Sequence, residues 1–98
     1  MTDLEITRLC AEAMGVKLGN FQTNDDDDRV PIDSYNFYMP LHDDAQAMAL
    51  VKKFEITTLP QRGKWSVVCA WMGSDLHDDL NRAICECVAK MQKAKGGA

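Results

Sequence analysis

No stretch of this sequence holds the roughly twenty consecutive apolar residues that a membrane-spanning helix requires. The first ten residues, MTDLEITRLC, carry acids early and lack the basic-then-apolar layout of a secretory signal. Basic charge is in short supply. Eleven lysines and arginines stand against 15 aspartates and glutamates, for a net charge of −4 and a pI near 5.0. That balance argues against a nucleic-acid binder or a protein held on anionic membrane. Catalytic and metal motifs are missing as well. The four cysteines include no C-x-x-C pair, and Cys85-x-Cys87 has no zinc-ligand spacing. Ser66 and Ser74 do not sit in a nucleophile-elbow sequence. There is no internal repeat and no linker. These absences lead to the expectation of a cytoplasmic, non-enzymatic protein with reduced cysteines, no cofactor and no bound metal.

What is present is one foldable domain. Its 98 residues are 46% hydrophobic, which suits a globular chain with a small core. The run from Tyr38 to Phe54, YMPLHDDAQAMALVKKF, organises it. Pro40 fixes its own φ and holds Met39 extended, so a strand ends there. Asp43 suits an N-cap, with Gln46 three residues on as its capping-box partner. Asp44 places negative charge at the positive end of the helix dipole. Ala47, Leu50, Val51 and Phe54 then recur at helical spacing.

The rest of the chain falls into place around that helix. Thr2 to Glu5 forms a capping box, and Ile6, Leu9, Cys10 and Ala13 make the apolar face of a helix over 3–14 that Gly15 closes. Val16 to Gln22 alternates weakly and is a possible strand. Residues 24–33 form an acidic loop containing Asp25, Asp26, Asp27 and Asp28 in succession. Tyr35 to Met39 reads as a strand with Tyr35, Phe37 and Met39 on one side. The run over 55–59 and the run over 65–71 form an antiparallel hairpin across a turn at Pro60–Gly63. Trp65, Val67, Cys69 and Trp71 alternate with Ser66, Val68 and Ala70, so this strand is expected to be covered on both faces. A last helix follows, with Ser74, Asp75 or Asp78 as its cap and Leu80, Ile84, Cys87, Val88 and Met91 as its buried face. Residues 95–98 fray. The order predicts an α+β domain with a mainly antiparallel sheet and helices on both of its sides.

The run Tyr38-x-Pro40-Leu41-x-Asp43-Asp44-Ala45-x-Ala47-Met48, the tryptophan-bearing hairpin and the run Asp79-Leu80-Asn81-Arg82-Ala83-Ile84 together resemble the phage ABA-sandwich domain family. The segment Leu9 to Gly15 fits the opening helix of that family. The resemblance spans nearly the whole chain, but its motifs are structural. It implies a three-layer α/β/α sandwich with about three helices, a phage or prophage origin and residence in the host cytosol. It implies no activity.

Several constellations bear on function. From Asn24 through Asp44 seven acids face one arginine, a local net of −6. The plain reading is a solvated loop; the sharper one is an acidic surface for a basic protein partner. The residues of that surface would be Asp25, Asp26, Asp27, Asp28, Asp33, Asp43 and Asp44. The aspartate run lacks the D-x-D-x-D-G spacing and the following glutamate of a calcium loop. Adjacent helical residues diverge by about a hundred degrees, so Asp43 and Asp44 converge poorly on one ion. His42 and His77 lie beside acids but near no nucleophile. The aromatic residues lack the interleaved basic charge of a nucleic-acid platform. The expected function is therefore a phage accessory protein that binds a host-defence or host-regulatory protein. The alternatives are a self-associating or virion-associated structural protein, and a small metal-dependent hydrolase using His42, Asp43 and Asp44.

Overall fold

The computed structural model describes residues 2–16, 30–31, 37–69, 72–73 and 76–95. Helix α1 spans Asp3–Met14, strands β1 and β2 span Val30–Pro31 and Phe37–Tyr38, and helix α2 spans Asp44–Phe54. Strands β3 (Thr57–Gln61), β4 (Lys64–Cys69) and β5 (Met72–Gly73) follow, then helix α3 (Leu80–Lys95). β1 pairs with β2, and β3, β4 and β5 form a second sheet in that order, all antiparallel. The class is α+β, as the element order predicts.

Local chemistry sets the helix ends. The Thr2 hydroxyl accepts from the Glu5 N–H at 3.1 Å, so the capping box begins α1 where expected. Gly15 closes it at φ +69°, and the Val16 N–H reaches back to the Ala11 carbonyl at 2.9 Å. That six-to-one bond needs the left-handed turn that glycine adopts without cost. α2 ends the same way, but the left-handed residue is Glu55, at φ +52°. α3 starts later than the three proposed caps imply. Asp79 is its cap, accepting from the Asn81 N–H at 3.0 Å. Ser74 and Asp75 lie outside the described residues, and the Asp78 side chain reaches Lys64 instead, at 3.9 Å.

The β3–β4 hairpin is tighter than its sequence suggests. Only Arg62 and Gly63 form the turn, both at positive φ, and Gln61 pairs with Lys64 across it. Pro60 consequently lies inside β3, opposite Trp65. The Trp65 N–H and C=O both bond to His77, at 2.7 and 2.9 Å, on the far side of β4. Pro60 therefore turns its backbone to the open edge, where its missing N–H breaks no ladder bond. An edge strand with one donor fewer is a poorer template for another strand.

α3 is the middle of the molecule. Ala83, Ile84, Cys85, Cys87, Val88 and Ala89 are all buried, far more than one helical face. Cys85 lies against Cys10 of α1, and Cys87 against Cys69 of β4. Residues two apart on a helix point about 200° apart, so α1 and the sheet occupy opposite sides of α3. This differs from the single buried face read from the sequence. β4 differs correspondingly. Val67 and Cys69 are buried beneath α3, while Val68 is 38% exposed and Leu59, diagonal to it on the same face of β3, is 40% exposed. The strand is covered on one face among the described residues, because its apolar partner helix sits inside the core.

In β2 the buried face is the one opposite Phe37 and Met39. Tyr38 is its buried residue, beside the thiols of Cys10 and Cys85, while Phe37 and Met39 are half-buried. Val16 is not in a strand, and Tyr35, Trp71 and the rest of the possible strand to Gln22 lie outside the described residues.

Side-chain pairs between charged and amide groups also pin α1 to α3. Asp3 bonds Arg82, Glu5 lies 3.7 Å from Lys93, and Glu12 accepts from Gln92 at 3.1 Å. Asp3 and Glu5 differ by about 3 Å in helical rise, yet their partners differ by about 16 Å along α3. Side-by-side helices could not satisfy both ties, so α1 and α3 cross steeply.

Candidate functional site

The three helices begin at one place. Asp43 caps α2 by accepting from the Gln46 N–H at 3.0 Å. The Gln46 side chain does not return to its cap, as a capping box would have it. It accepts from the Met39 N–H at 2.6 Å and donates to the Phe37 carbonyl at 3.0 Å. The Asp43 N–H is already bonded to the Met39 carbonyl, at 2.9 Å, which leaves Gln46 to fasten α2 to β2.

Two long-range contacts bring the other helix starts to this point. Arg82 donates twice to Asp3 Oδ1, from Nη1 at 2.9 Å and Nη2 at 2.5 Å. Asn81 donates from Nδ2 to Asp44 Oδ1 at 2.7 Å. The first contact joins α1 to α3 and the second joins α2 to α3. Asp3, Leu41, His42, Asp79 and Arg82 line a hollow of about 230 Å³ between them. A second hollow, of about 320 Å³, shares Asp79 and adds Asp44, Met48, Leu80 and Asn81.

The electrostatics follow from the helix starts. Three positive dipole ends meet here, and carboxylates settle against them. Asp3, Asp44 and Asp79 line the hollows, with Asp43 beside them at the start of α2, and among the described residues Arg82 is the one lysine or arginine lining either hollow. The surface can accept hydrogen bonds and hold cationic groups. Among the described residues lining the two hollows there is no hydroxyl or thiol nucleophile.

Of the residues proposed from sequence, Asp43 and Asp44 are on this face. Asp25, Asp26, Asp27, Asp28 and Asp33 lie outside the described residues. Asp43 and Asp44 turn to different partners, one to its own helix and one to Asn81. Among the described residues no three histidine, cysteine or acidic side chains are grouped to hold a metal ion. Asp3, Asp79 and Arg82 were not singled out as site residues. Asp79 as a helix cap is a local feature, but the Asp3–Arg82 pair is 79 residues apart and carried no local signal.

The described residues define a small α+β protein with an acidic face assembled from helix starts. No family model, no curated protein and no solved structure matches the chain. Among the described residues no helix is long and apolar enough to cross a membrane.

Proposed function

We propose that this chain is a phage- or prophage-encoded accessory protein without enzymatic activity, acting in the host cytosol. It binds the basic surface of another protein, a host-defence or host-regulatory factor. One observation carries this reading: Asp3, Asp43, Asp44 and Asp79 share one face on which, among the described residues, Arg82 is the only lysine or arginine lining the hollows. Asp25–Asp28 and Asp33, which precede Asp43 and Asp44 in sequence, carry charge of the same sign. The phage setting rests on the sequence resemblance alone. Charge complementarity of this kind speeds encounter and selects partners, and it weakens with salt.

The test compares the native protein with two variants, Asp25–Asp28 changed to serine and Asp44→Asn. Proteins retained from host lysate are identified and binding is repeated with purified components. The reading expects a basic partner whose affinity falls with salt and falls in both variants. Equal binding by all three forms, or retention of no basic protein, overturns it.

Self-association is the second reading, favoured by Leu59 and Val68 on the uncovered face of the β3–β4 hairpin. Sedimentation across a concentration series separates the two, since only this reading expects a mass that rises with concentration in the absence of a partner.

A further inference from the structure

All four cysteines of the sequence are buried, and they meet in twos across α3. Cys10 of α1 donates from Sγ to the Cys85 carbonyl at 3.3 Å, and the two thiols also share a hydrogen bond. On the opposite side of α3, the thiol of Cys69 in β4 lies close enough to that of Cys87 for the two to interact. Cysteine often fills a core as a small apolar residue, and one such cysteine needs no explanation. Here each thiol on α3 instead meets the thiol of a different layer.

We propose that Cys10–Cys85 and Cys69–Cys87 are two latent disulfides that close on oxidation and clamp α3 to α1 on one side and to the sheet on the other. A disulfide such as oxidised glutathione is sufficient as oxidant. One protein thiol loses its proton and its sulfur attacks the glutathione disulfide, releasing one glutathione thiolate and leaving a mixed disulfide. The partner thiol then loses its proton, attacks the protein sulfur of that mixed disulfide and expels the second glutathione. For each bond closed the protein loses two hydrogens and one glutathione disulfide becomes two thiols.

The fold controls both rate and pairing. Burial, reinforced by the Cys87 thiol, pushes the Cys69 thiol up to about 12, and the Cys10 thiol and burial raise Cys85. Cys69 and Cys85 are therefore held protonated, and because all four thiols are buried, attack waits for a local opening of the core. α3 separates the two pairs, so of the three connectivities that four cysteines allow, the folded chain permits one.

The experiment treats the folded protein with oxidised glutathione at mildly alkaline pH, traps remaining thiols by alkylation, and reads intact mass and a non-reducing peptide map. A urea-unfolded sample runs alongside. The expected result is loss of four hydrogens from the folded protein, slower than in urea, with only Cys10–Cys85 and Cys69–Cys87 in the map. Cys10→Ser and Cys87→Ser each leave the other bond able to form. The oxidised protein should melt at least about 5 °C higher than the reduced form. Three results each overturn the proposal: persistent free thiols in the folded sample while the unfolded one oxidises, crossed pairings in the folded sample, or an oxidised form that melts no higher.

Discussion

The side-chain oxygen of Gln46 lies 2.6 Å from the backbone nitrogen of Met39, seven residues earlier and on the other side of the Pro40 turn. Together with the bond from Gln46 Nε2 to the Phe37 carbonyl, this fixes the angle at which the chain leaves β2 and enters α2. Gln46→Ala removes both bonds and leaves a half-buried amide and carbonyl to find water. The expected loss is about 1–2 kcal/mol of unfolding free energy. Urea denaturation measures it, and an unchanged midpoint would show that the bonds contribute nothing net.

The Asp3–Arg82 pair is geometrically good but only partly shielded, with side chains 46% and 37% exposed. Solvent and salt reduce its worth accordingly. A double-mutant cycle with Asp3→Asn and Arg82→Gln should give a coupling below about 1 kcal/mol, shrinking further at high salt. A coupling of several kcal/mol would mean that the pair positions α1 on α3 rather than merely decorating their crossing.

Glu55 holds the left-handed conformation at the end of α2, where Gly15 serves α1. A side chain there carries a steric cost that glycine avoids. Glu55→Gly should raise stability by about 0.5–1 kcal/mol, although glycine also loosens the unfolded chain. Thermal melts of the two proteins decide it, and a lower melting temperature for the variant refutes it.

The Tyr38 hydroxyl is buried with no hydrogen-bond partner among the described residues. Burial, and then the thiols of Cys10 and Cys85, raise its pKa from the ordinary value of 10.0. Tyr38→Phe removes the unsatisfied oxygen and keeps the ring. The variant should be as stable as the native protein or up to about 1 kcal/mol more so. A clear destabilisation would reveal a bond made to a buried water.

Alkali should unfold the protein earlier than its acids would suggest. The Cys69 thiol is raised from 9.0 to about 12 by burial and by Cys87, and Cys85 and Tyr38 are raised too. A group with a raised folded pKa contributes its full stability below the unfolded value and loses it as pH climbs toward the folded one. Stability should therefore hold up to about pH 8 and fall steadily between about pH 9 and 12. Melting temperatures across that range test this, and Cys69→Ala should flatten the decline. A native slope retained in Cys69→Ala would assign the loss to other groups.

The two ends of α1 and the start of α2 were legible in the chain itself. Thr2, Gly15 and Asp43 act over three to five residues, so capping chemistry announces itself locally, whereas Gln46 reaches back seven and nine residues to β2. The hairpin was legible for the same reason, though Arg62–Gly63 took the turn and Pro60 stayed in the strand, since a two-residue turn matches the twist of paired strands better. Asp43 and Asp44 could be read as acids at a helix start, but not as neighbours of Asp3 and Asp79. Only the tertiary structure decided that three helix starts share one face, because contacts spanning 37 and 79 residues leave no trace in local pattern. It also decided that α3 is the middle layer. Small side chains at Ala83, Cys85, Cys87 and Ala89 let α1 and β4 approach it from opposite sides, and periodicity alone cannot say whether a second apolar stripe will find a partner.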